Sequence, residues 1–145
     1  MAWVVDSCVL IDVISEDETF GECSADCLVR CASSELILCP VSYVEIAPSF
    51  YGNRRGQDTF LSEVEVDFSV PWEWADTLVA HEAWSRYVSL KRENRMCRKP
   101  IADVQIGAFA MRFDGLITRN GADFRKLFPK LKIKEPRPAE SRNQS

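Results

Sequence analysis

This 145-residue sequence predicts an α/β fold with a central, mainly parallel sheet. Three observations carry that expectation. Short apolar runs at 2–5, 35–39, 66–70, 116–118 and 131–134 alternate with helix-spaced stretches from one end of the chain to the other, as in a sheet whose strands are joined by crossover helices. The runs at 2–5, 36–39 and 116–117 are apolar throughout rather than at every second residue, which suits strands covered on both faces. Hydrophobic residues make up 46% and charged residues 28%, enough apolar material for one domain core of this size without metal or disulfide staples.

The elements follow in order. Ala2-Trp3-Val4-Val5 is a buried strand that stops at Asp6, and Asp6-Ser7 can cap a helix over 8–14. A loop over 15–18 precedes helical spacing over 22–33, where Cys23, Cys27 and Cys31 form one stripe. The second strand, 35–39, is closed by Pro40. A short helix over 41–50 ends near Pro48, a turn occupies 53–56, and 57–64 is helical. After the strand at 66–70, residues Trp72, Ala75, Val79, Ala83, Tyr87 and Leu90 recur every three or four positions, a long amphipathic helix. A basic loop at 94–100 leads to an unusually apolar helix over 101–113. The strand at 116–118, a helix over 123–128 and an edge strand at 131–134 complete a single domain over 1–135, with a disordered basic tail at 136–145.

Composition excludes several functions. No stretch approaches the roughly 20 apolar residues that span a bilayer. The first residues lack the basic start of a secretory signal, so the cytoplasm is expected. None of the six cysteines has C-x-x-C spacing, and a zinc site on the Cys23/Cys27/Cys31 stripe would need a fourth ligand; buried packing thiols are the simpler reading. With His81 the sole histidine, most nucleophile–base catalysis is also excluded. The net charge of −4 conceals a division: residues 1–85 hold 16 acids and 3 bases, residues 86–145 hold 6 acids and 15 bases. The basic half is either a solvated face with a tail or a surface for a polyanion such as nucleic acid.

Four acids stand in apolar surroundings, where an isolated carboxylate is costly unless paired or bound to a cation. They are Asp6 after the first strand, Glu45 in Val41-Ser42-Tyr43-Val44-Glu45-Ile46, Asp103 in Ile101-Ala102-Asp103-Val104, and Asp123 after the strand ending at Thr118. Each also has a structural duty open to it. Asp6 and Asp123 are candidate N-caps, Ser42 and Glu45 form an S-x-x-E capping box, and Asp103 suits a first helical turn after Pro100. Taken together, all four fall at the carboxyl edge of a parallel sheet, where ligands collect. An all-oxygen cluster there suits Mg²⁺ or Mn²⁺ and phosphodiester hydrolysis.

Four segments carry a family resemblance: Val4-Val5-Asp6-Ser7-Cys8-Val9-Leu10-Ile11, Ser42-Tyr43-Val44-Glu45, Ile101-Ala102-Asp103-Val104-Gln105-Ile106-Gly107-Ala108, and Leu116-Ile117-Thr118-Arg119-Asn120-Gly121-Ala122-Asp123-Phe124. In this order they resemble PIN-domain ribonucleases of the VapC toxin kind. The resemblance implies a three-layer α/β/α fold and RNA cleavage that depends on Mg²⁺ or Mn²⁺. It matches Asp6, Glu45 and Asp103 to three metal-holding acids and assigns Asp123 as the fourth. Asn120 is then a neutral orienting ligand, and Ser7 and Thr118 are hydrogen-bond partners of the cluster or of a bound phosphate. Arg95, Arg98, Lys99 and Arg119 are candidates to grip RNA. A small antitoxin with a basic tail and a second copy of the chain are the implied partners, and Phe50, Tyr51 and Phe60 are candidate groove residues. Two other functions stay open. Asn120 departs from members with an acid at that place, which fits a catalytically weak PIN-like module that binds RNA or protein. A phosphoacceptor domain would want an acidic pair where Asp6-Ser7 stands and a lysine where Arg119 follows Thr118.

Overall fold

The computed structural model describes residues 1–92 and 101–138. The expected basic loop at 94–100, with Cys97 and the candidate RNA contacts Arg95, Arg98 and Lys99, lies outside the described residues, as does the tail beyond Pro138. Pro136 is buried, so the packed chain runs past the expected boundary at 135.

Five parallel strands form one sheet: β1 (Ala2–Val5), β2 (Glu35–Ile37), β3 (Val66–Asp67), β4 (Gly115–Ile117) and β5 (Ile133–Lys134), in spatial order β3-β2-β1-β4-β5. Val4 aligns with Ile37 on one side and Leu116 on the other, while Val5 aligns with Ile117. This register sorts the side chains into two cores. Val4, Ile37 and Leu116 face Val104, Phe109, Tyr87 and Phe124. Trp3, Val5, Leu36 and Ile117 face Val9, Leu10, Cys27, Leu28 and Leu61. Helices cover both faces, which is why the central strands β1 and β4 carry no polar alternation. The arrangement is the expected three-layer α/β/α architecture.

Seven α-helices join the strands among the described residues: α1 (Ser7–Ile14), α2 (Gly21–Arg30), α3 (Pro40–Glu45), α4 (Arg54–Glu63), α5 (Trp74–Arg92), α6 (Ile101–Ala110) and α7 (Gly121–Leu127). The cysteine stripe packs as expected: Cys23, Cys27 and Cys31 are buried, and the last two belong to the Val5 core. Burial pushes the Cys27 thiol up to about 11, helped by neighbouring Cys31.

Several expected boundaries move for identifiable reasons. The expected helix over 41–50 is two pieces, α3 and a 3₁₀ turn at Ala47–Phe50, and Tyr51 then enters the left-handed region at φ 53°. Pro48 lacks the N–H that a continuing helix would need. Pro40 does not merely close β2; it is the first residue of α3, where a missing N–H costs nothing. The turn at 53–56 is the start of α4, capped by Asn53 Oδ1 accepting from the Gly56 amide at 3.1 Å. The strand expected at 66–70 ends at Asp67, whose Oδ1 accepts from the Ser69 amide at 2.8 Å and turns the chain away. The helix expected at 123–128 begins at Gly121, which puts Asp123 inside its first turn rather than at a cap.

Candidate active site

β1 is the central strand. The chain leaves it toward β2 and β3 on one side and returns to β4 and β5 on the other. Between β1 and β4 the strand order therefore reverses, and the connections after their carboxyl ends part to leave a crevice. Asp6 follows β1 and Thr118 follows β4. The Asp6 amide donates to Ile117 O at 2.9 Å, continuing the ladder by one rung and holding the two residues side by side.

Asp6 occupies the N-cap position of α1, yet its side chain caps nothing. Its carboxylate instead accepts from side chains around it. Thr118 Oγ1 donates to Asp6 Oδ2 at 2.7 Å, and the Asn120 amide donates to Thr118 Oγ1 at 3.0 Å, which leaves that hydroxyl's proton for Asp6. Ser7 Oγ lies 3.0 Å from Glu45 Oε1 and 3.4 Å from Asp6 Oδ1. With one proton to give, the serine donates to Glu45 and stands between the two carboxylates.

Asp6 is 2% exposed, and no Lys or Arg among the described residues is ion-paired with it. Glu45 is open to solvent on its outer side. Desolvation on its inner side raises its pKa above the usual glutamate value, the Ser7 bond pulls it down, and the Asp6 charge raises it further. The expected capping box is absent. The N-cap of α3 is Cys39, Ser42 Oγ is buried without a hydrogen-bond partner, and Glu45 is the helix's last residue. Glu45 thus reaches the crevice from the end of α3, not from its first turn.

Asp103 stands in the first turn of α6 and Asp123 in that of α7, both partly exposed. α6 packs against α3, the helix that carries Glu45. Among the described residues, no three His, Cys, Asp or Glu side chains are gathered into a ready metal-ligand set. Hydrogen bonds and close contacts link Asp6, Ser7, Glu45 and Thr118, with the Asn120 backbone behind them.

The donor chemistry fits a hard cation. Two carboxylates and two hydroxyls stand together, an oxygen-rich donor set. Cys8 Sγ donates to Asp6 Oδ2 at 3.3 Å, and burial, with the Asp6 charge second, pushes this thiol up to about 12.

Two residues bear on the site in ways that the sequence reading missed. Cys8 touches Asp6 directly. Asp12, on α1, is 2% exposed and pairs with Arg119 through Nη2–Oδ1 at 2.9 Å and Nε–Oδ2 at 2.6 Å; the second contact is too bent to be a hydrogen bond. Asp12 satisfies the criterion that singled out Asp6, an acid between Ile11 and Val13 in an apolar run. Of the groove candidates, Phe50 and Phe60 pack on each other with ring centroids 5.6 Å apart, whereas Tyr51 is 98% exposed.

Fold and site together define a parallel α/β domain with carboxylates at the carboxyl edge of its sheet. No family model matches the chain, and no curated protein matches it. Solved structures do. A chain of the VapBC-1 structure from nontypeable Haemophilus influenzae superposes with a TM-score of 0.64 at 16% identity, covering 93% of this chain and 98% of that one. A chain of VapBC2 from Rickettsia felis, bound to a DNA fragment from its promoter, superposes with a TM-score of 0.62 at 14% identity and the same coverage. At these identities the likeness is one of fold.

Proposed function

We propose that this protein is a divalent-metal-dependent endoribonuclease acting as the toxin of a VapBC-type pair. The observation that carries the reading is Asp6, a buried carboxylate at the switch point of the sheet, which accepts from Thr118 and has no cationic side chain paired with it among the described residues. Asp6, Glu45, Asp103 and Asp123 would hold Mg²⁺ or Mn²⁺. When bound, the ion supplies Lewis acidity toward a phosphate oxygen and lowers the pKa of water. The chain's own groups do the rest. Thr118 fixes the Asp6 carboxylate from one side, Ser7 holds Glu45 at a set distance from it, and Asn120 orients the Thr118 hydroxyl. Water adds to phosphorus and the 3′-oxygen leaves with a proton, giving a 5′-phosphate and a 3′-hydroxyl.

Arg98 and Lys99 are proposed as RNA contacts, and Arg119 as either a contact or an orienting residue. The acid-rich first half suits an antitoxin with a basic tail. A homodimer and a cytoplasmic location complete the proposal. No helix among the described residues is long and apolar enough to cross a membrane.

The test is RNA cleavage by purified protein. Cleavage should need Mg²⁺ or Mn²⁺, stop in EDTA and resume when metal is restored; undiminished cleavage in chelator refutes the mechanism. The absence of a third gathered ligand among the described residues favours, as the second reading, a weak PIN-like module that binds RNA or protein. Isothermal titration separates the two: the module predicts no Mg²⁺ binding that depends on Asp6.

A further inference from the structure

We propose that Asp12 and Arg119 form a positioning pair that sets the Thr118 hydroxyl against Asp6, and that Arg119 makes no contact with the RNA backbone. The proposal rests on the nuclease reading above. Arg119 is the one residue between Thr118, which donates to Asp6, and Asn120, whose amide orients that donor. The Cys8 sulfur lies 3.3 Å from Asp6 Oδ2 and 3.8 Å from Thr118 Oγ1, so the start of α1 touches the start of this connection beside Asp6.

The side chain leaves in another direction. Its guanidinium grips Asp12 and lies over the Phe20 ring at 4.2 Å from the centroid. Asp12 is held in turn by Ser24 Oγ, which donates to Oδ2 at 3.1 Å. The Phe20 amide donates to Asp17 Oδ1 at 2.8 Å, which fixes the segment that presents the ring. α1, α2 with the residue before it, and the β4–α7 connection therefore meet on one ion pair. α1 starts at Ser7 and the connection starts at Thr118, so the pair spans the two chain segments that flank Asp6.

This commitment disfavours a phosphate role. One edge of the guanidinium and one of its faces are already used, and the pair is largely withdrawn from water, with side-chain exposures of 29% and 3%. Freeing Arg119 for RNA would leave Asp12 buried and unpaired. A displacement of about 1 Å at a catalytic hydroxyl is enough to cost up to about 100-fold in rate.

The experiment compares wild type, Asp12→Asn and Arg119→Lys below their melting temperatures, measuring kcat, KM and its salt dependence on a single-stranded RNA, with Mg²⁺ affinity by calorimetry. Positioning predicts that both variants lose about 10–100-fold in kcat and bind Mg²⁺ more weakly, with KM and the salt slope unchanged. In a Thr118→Val background, Asp12→Asn should cost nothing further, because the pair acts through that hydroxyl. Arg119→Lys keeps the charge but loses the fork, and stands in if Asp12→Asn fails to fold. The proposal is overturned if either folded variant matches wild type, or if Arg119→Met raises KM and flattens the salt slope by about 0.7 at constant kcat, the mark of one lost phosphate contact. If wild type shows no Mg²⁺-dependent cleavage, the nuclease reading falls and takes this one with it; an active wild type with unaffected variants removes only the positioning pair.

Discussion

Asp6 and Glu45 differ in what surrounds them, and the difference dictates how each should respond to substitution. Asp6 is sealed between Thr118, Cys8 and Ser7. Asp6→Asn removes a buried charge without altering shape, so the melting temperature should hold or rise while cleavage falls at least about 100-fold; calorimetric scans paired with an RNA assay check both halves. Glu45 titrates above the usual glutamate value of 4.5 because burial and Asp6 disfavour its charge. For an acid whose folded pKa is raised, the fold binds the extra proton. Stability from this group is therefore full below pH 4.5 and is lost as pH rises through the folded value. Melting temperatures of wild type should fall relative to Glu45→Gln across that window, and added Mg²⁺ should cancel the fall at the upper end. The same criterion that found Asp6, a charge in an apolar run, was legible in the sequence. Glu45's route to the site was not, because Ser42-x-x-Glu45 also spells a capping box and only tertiary contact with Ser7 decides between them.

Among the elements, the central strands and α1 were legible because their apolar runs are short, bounded and uninterrupted. The misplaced ends belong to segments where one local hydrogen bond decides the outcome, as with Asp67 ending β3 or Asn53 starting α4. The connection before α5 shows the same economy. Asp76 Oδ2 accepts from the Glu73 amide at 2.9 Å, closing the first turn of α5, and both its oxygens accept from Arg112, which lies beyond α6 and stacks over Phe109 and Phe113. Asp76 is 1% exposed, and Asp76→Ala would remove two charge-assisted hydrogen bonds and leave Arg112 only Glu73 and the Pro71 carbonyl, which should cost about 2 kcal/mol in urea unfolding. On the far side of α6, a Cβ at Gly107 would run into the Phe128 ring. Gly107→Ala should destabilise by about 1–3 kcal/mol in the same experiment, since the buried ring has to move.

For the whole molecule, the order β3-β2-β1-β4-β5 turns four dispersed sequence segments into one edge. Alternating strands and helices made a parallel sheet legible, and the rule that ligands gather at its carboxyl edge made the site's address legible too. The distance of Asp103 and Asp123 from that core was not, because it depends on how α6 and α7 are rotated rather than on where they begin. The uneven charge along the chain predicts that RNA binding weakens with salt, which a filter-binding series from low to moderate ionic strength would show as a linear log–log decline. The central claim is that Asp6 and Glu45 share one hard cation, and an anomalous difference map from crystals soaked in Mn²⁺ tests it most directly. The account predicts a single strong peak within coordination distance of both carboxylates, lost in Asp6→Asn. A map without a peak there, at Mn²⁺ concentrations that support cleavage, would contradict it.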